Sequence, residues 1–96
     1  MIKVNLIEKN GVISILEVTG HADYAEPGQD LVCAAVSAIV TGGFNAFNDN
    51  DFLTCSLEEG YARVEVISQR GLDILDTIIV QLKTIAISYP NYIKIK

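Results

Sequence analysis

The 96 residues contain one histidine, His21, and two cysteines, Cys33 and Cys55. A thiolate is a strong nucleophile, and an imidazole beside it can take up and return its proton, the pairing that covalent catalysis at a carbonyl asks for. His21 and Cys33 stand twelve positions apart. The segment 21–30 also holds Asp23, Tyr24, Glu26, Pro27, Gly28, Gln29 and Asp30, polar or turn-forming types that read as a loop. Asp30 suits an N-cap, because its carboxylate can accept the free amides of a helix that begins near Leu31. Cys33 then falls at N3, in the field of the positive helix end that favours a thiolate. The unpaired amides of the same turn could hold a developing oxyanion.

Each of these residues also has a plainer reading. A cysteine in an apolar helix is commonly a small buried hydrophobe, and a loop histidine a solvated polar group. Asp30 either caps the helix, or orients His21 by holding one imidazole tautomer, or does both through separate oxygens. Ser37, one turn beyond Cys33 on the same face, either hydrogen-bonds near the site or bonds back to its own helix. The carboxylates Asp23, Glu26 and Asp30 read as a solvated face, Glu58 and Glu59 as turn residues, and Cys55 as core filler between Thr54 and Ser56. Two cysteines and one histidine lack the spacing of metal-ligand pairs, so no metal or other cofactor is expected.

The elements that would position these groups can be read from periodicity. Ile2, Val4 and Leu6 alternate with Lys3 and Asn5, a half-buried strand over 2–8. Asn10-Gly11 is a two-residue hairpin turn that leads to a β-branched return strand over 12–19. A helix is predicted over about 31–47; it is apolar on nearly every side and should be buried on most faces, with Gly42-Gly43 marking a bend or a close backbone approach. A second hairpin is predicted over 51–57 and 61–67, turning through Glu58-Glu59-Gly60. Leu72, Leu75, Ile79, Leu82, Ala86 and Tyr89 then repeat at three and four, one apolar stripe of a helix over 71–89 that Pro90 stops. Tyr92–Ile95 adds a short strand. The order ββαββαβ predicts a single α+β domain over 1–96, a two-layer sandwich with two helices on one face of a mainly antiparallel sheet.

Composition excludes several classes of partner. Half of the residues are apolar and the net charge is −5, from 12 acidic and 7 basic residues. Without a basic face, direct nucleic-acid binding is not expected, whereas an acidic surface steers a basic partner. No apolar stretch is long enough to span a membrane, the start lacks a secretory h-region, and free thiols are expected, so the expected location is the cytoplasm. A domain this small buries a limited fraction of its surface, so a homodimer that extends the core is expected. On the residues alone a peptidase competes with a non-catalytic dimeric binding module and with another thiol enzyme such as a thioesterase. A redox role is disfavoured because no Cys-x-x-Cys is present.

The run Gly20-His21-Ala22-Asp23-Tyr24-Ala25 … Gly28-Gln29-Asp30-Leu31-Val32-Cys33-Ala34-Ala35-Val36-Ser37 resembles the ribosomal-processing cysteine protease family, Prp. Asn45-Ala46 in the first helix and a late helix ending near Tyr89-Pro90 extend the likeness along the chain. The resemblance implies a homodimeric cytoplasmic cysteine endopeptidase that removes a short N-terminal extension from a large-subunit ribosomal protein; the alternative beside it is a non-catalytic dimeric module that holds a ribosomal or ribosome-assembly partner without cleaving it. It implies that His21 is the catalytic histidine, Cys33 the nucleophile and Asp30 an acidic residue on which activity depends, and it leaves Ser37 without a firm role. The loop bearing Asp23, Tyr24, Glu26 and Gly28 would then order around the substrate peptide.

Overall fold

The computed structural model describes residues 1–20 and 27–96, and for residues 27–30 the backbone alone. Strands β1 (Ile2–Lys9) and β2 (Val12–Thr19) form a hairpin. Its turn residues Asn10 and Gly11 have φ of 55° and 81°, the left-handed pair of a type I′ turn whose twist matches that of the strands. Helix α1 (Pro27–Phe44) and a 3₁₀ turn (Asp49–Asp51) lead to the second hairpin, β3 (Phe52–Glu58) and β4 (Tyr61–Val66). Helix α2 (Gln69–Ser88) and a short strand β5 (Ile93–Ile95) complete the described chain. The sheet order is β3-β4-β2-β1-β5, antiparallel throughout except where β5 runs parallel to β1. The α+β sandwich in the order ββαββαβ is therefore borne out.

Both helices cover one face of the sheet. Val32, Val36, Val40 and Phe44 of α1 and Leu75, Ile78, Ile79 and Leu82 of α2 join the inward strand residues, among them Val4, Leu16 and Val64, in one buried cluster. A Cβ at Gly43 would lie 2.5 Å from Cγ1 of Ile78, so glycine here lets α1 and α2 approach; nothing lies near Gly42.

Three expectations about α1 need correction. It already includes Pro27, four residues ahead of Leu31, a place in the chain where the missing N–H of proline is tolerated only in a first turn. Asp30 consequently lies within the helix and is not its N-cap. The helix ends at Phe44, which leaves Asn45-Ala46 in the turn beyond it. It is also buried along one face only: Leu31 is 58% exposed, and Ala34 and Ala38 face solvent, where small side chains leave little apolar area to hide.

Asp51 joins the 3₁₀ turn to the start of α2. The Asn48 amide donates to its Oδ2 at 2.7 Å, the Ser68 hydroxyl donates to Oδ1 at 2.8 Å, and Arg70 pairs with Oδ2. Ser68 in turn caps α2 by accepting from the Gly71 amide at 2.8 Å. These donors, the Asn48 amide first, hold the Asp51 carboxyl below the usual carboxylate range despite its burial. A folded-state pKa below the unfolded value stabilises the fold above the ordinary carboxylate pKa, and that stability is lost as pH falls through the folded one. Asp51→Asn should therefore melt below the wild type at pH 6, and the gap should close as the pH falls below the ordinary carboxylate pKa of about 4. Thermal melts across that range check the sign; a gap that stays constant with pH would rule out the carboxylate as its source.

Candidate active site

Cys33 is the seventh residue of α1, and Ser37 and Thr41 follow it at intervals of four, so the three form one row along the helix. This row is one wall of a cleft of about 510 Å³. The β3–β4 turn from Glu58 to Tyr61 forms a second wall, and Ile2, Val18, Val36 and Ala62 supply its apolar lining. Cys33 is a half-buried free thiol there. Cys55 packs against the core, as expected from its sequence context, and burial pushes its thiol pKa up, which keeps it protonated and weakly nucleophilic. Of the two cysteines, only Cys33 opens on the cleft.

The helix start changes the electrostatic reading. Six residues at 1.5 Å each put Cys33 about 9 Å along the axis from Pro27. The helix-end field falls off within the first turn. Cys33 therefore does not sit at N3, and the first-turn amides are not beside its sulfur.

Gly20 fixes where the chain leaves β2 for residue 21. Its amide donates to the Gly60 carbonyl at 3.1 Å, which ties the end of β2 to the cleft-lining turn. Its φ is +97°, and a Cβ would lie 2.4 Å from the Met1 carbonyl oxygen. Backbone cannot swing aside as a side chain can, so Gly20→Ala should cost about 2–4 kcal/mol from left-handed strain plus overpacking. Chemical denaturation measures this cost; a loss below 0.5 kcal/mol (about the noise of a neutral surface change) would show that the site relaxes freely.

His21, Asp23, Tyr24 and Glu26 lie outside the described residues. Gly28 and Asp30 have helical backbone. Among the described residues the structure brings Cys33 and Ser37 together, as their spacing implied. Sequence reasoning missed the hairpin turn as a wall: Glu58 and Glu59 read as turn residues, yet both line the cleft with Leu57 and Tyr61. The row through Thr41 was available from helical spacing, whereas the turn was not, because its contact with α1 is non-local.

Residues 1–94 match the family model of the cysteine protease Prp. This chain belongs to the cysteine protease Prp family. The ribosomal processing cysteine protease Prp of Mycoplasma genitalium is 38% identical over 98 residues, spanning 99% of this chain and 94% of the relative. The Prp of Bacillus subtilis is 34% identical over 96 residues, spanning 88% of this chain and 85% of its own length. Prp from Staphylococcus aureus in complex with a substrate peptide superposes with a TM-score of 0.86 at 27% identity, over 100% of this chain and 98% of that one. A second S. aureus Prp structure holds a covalently linked product peptide, with a TM-score of 0.82 at 28% identity over the same shares of the two chains. The expected family, fold and enzyme class are thus borne out: this is a Prp cysteine protease. Among the described residues, no helix is long and apolar enough to cross a membrane.

Proposed function

We propose that this Prp member is the endopeptidase that removes a short N-terminal extension from a large-subunit ribosomal protein, with Cys33 as nucleophile and His21 as its acid–base partner. The observation that carries the reading is the position of Cys33, the one cysteine on the wall of a cleft large enough for peptide side chains. The relatives named for ribosomal processing, and the S. aureus relative with a product peptide covalently linked, support the same chemistry. The chain's single histidine follows Gly20, itself a cleft residue.

In this mechanism His21 takes the Cys33 proton, and the sulfur attacks the scissile carbonyl carbon to give a tetrahedral oxyanion. The carbonyl re-forms as the C–N bond breaks, and His21 delivers its proton to the leaving amine. Water, deprotonated by His21, then attacks the thioester and frees the new carboxylate and the thiol. Asp30, in the helix that carries Cys33, is a positioning residue for the pair. The acids Glu58 and Glu59 at the cleft, with the net charge of −5, suit the basic chain of a ribosomal protein.

Incubating the purified chain with the extended ribosomal protein of its own genome, then sequencing the new N-terminus, tests the assignment. A single internal cut that removes the extension supports it. If the extended protein stays intact while a short acyl thioester is hydrolysed, the chain is a thiol hydrolase of another kind.

A further inference from the structure

The cleft runs out onto an open edge of the sheet. β3 is an outer strand, and on its far side it pairs with no strand among the described residues. The register fixes which groups face outward. The Gly20 amide donates to the Gly60 carbonyl, so by alternation Gly60 and Ala62 turn their backbone groups toward β2 while Tyr61 and Arg63 turn theirs toward β3. Their partners Glu58 and Ser56 therefore bond inward to β4. Cys55 and Leu57 are left with N–H and C=O groups directed away from the sheet.

Natural edges are usually blunted by charge, proline or a bulge. From Leu53 to Leu57 this edge has no charge and no proline. Its one bulge lies between Phe52 and Thr54, the end remote from the cleft. Leu53 is 64% exposed and Leu57 46%. Leu57 also lines the cleft with Cys33, so edge and cleft are continuous.

We propose that this edge takes the substrate as an added strand. The peptide lies extended along β3 and exchanges backbone hydrogen bonds with Cys55 and Leu57, and that register delivers its scissile bond into the cleft beside Cys33. The inference rests on the peptidase reading given above. Charge selects this occupant over a second copy of the chain: another copy brings the same net −5 to the edge, whereas a basic peptide is drawn to Glu58 and Glu59, where edge meets cleft. Length agrees, since five residues of edge span about 17 Å, enough for one peptide segment and short for a dimer interface of ordinary size.

A set of peptides spanning the extension and the first residues of the mature ribosomal protein tests the proposal. Each peptide carries a single backbone N-methyl group, moved one residue at a time. Strand pairing directs alternate amides at β3, so kcat/KM should fall about tenfold or more at every second position and change about twofold or less between. Losses without alternation, or no losses, overturn the proposal. So does a dimer that sedimentation shows to dissociate when peptide is added, because the edge would then belong to a second copy. If the parent peptide binds but is not cleaved, the peptidase reading fails, and the same alternation read in Kd still decides the edge.

Discussion

Cys33→Ala should reduce peptide cleavage by at least about 10³-fold while leaving the melting curve within a few degrees of wild type. The two halves of this expectation have separate causes. Without the sulfur there is no acyl-enzyme route, and no neighbouring group replaces it, since Cys55 packs into the core with its thiol pKa raised. Stability survives because Cys33 is only half-buried and alanine is the best helix former, so the change should stay within about 1 kcal/mol. Cys55→Ala is the matched control. It removes a side chain packed on the core, costs some stability and keeps cleavage. A Cys33→Ala protein that still cleaves, or a folded Cys55→Ala protein that does not, would reverse the assignment.

The largest expected effect on stability lies at Leu82. It is fully buried where α2 meets the sheet. Leu82→Ala removes its transfer energy and leaves a cavity, together about 2–5 kcal/mol. Domains of this size are stable by only about 5–15 kcal/mol, and each kcal/mol shifts Tm by roughly 4–8 °C, so Tm should drop by about 8–40 °C. Ile87→Ala on the same helix should change stability by about 0.5 kcal/mol or less, because Ile87 is 82% exposed. Thermal and urea unfolding of the two variants make the comparison. Equal losses would mean that the outer face of α2 is covered in solution.

Features set by local chemistry were legible in the sequence. Asn10-Gly11 announces its turn because few residue pairs accept two left-handed conformations in succession. The α2 stripe correctly finds Leu75, Ile79 and Leu82 in the core. It passes over Ile78, which is as buried as Leu75 because Gly43 of α1 presses against it, a contact that no local period encodes. At α1 two start signals compete. Asp30 has the better cap chemistry, but the helix already runs through Pro27, which moves Cys33 from its first turn to beyond it. Asp51 reads as the first residue of a strand. Its role as a buried hub depends on Ser68 and Arg70, seventeen and nineteen residues away.

The site divides along the same line. Cys33 and Ser37 share a face because helical geometry demands it, so their pairing was visible in the spacing. The opposing wall at Glu58 and Glu59 belongs to a hairpin brought to α1 by the sheet order β3-β4-β2-β1-β5, and it emerges only once the chain is folded.

The nucleophile can be tested most directly by trapping it. A chloromethyl ketone built on the peptide that precedes the cut alkylates the attacking sulfur irreversibly, and tandem mass spectrometry of the digested protein locates the adduct. One equivalent, carried on Cys33 and lost in His21→Ala at the same pH, is the predicted result. An adduct on Cys55, or labelling of Cys33 at the rate of a free thiol in solution with or without His21, would contradict the account.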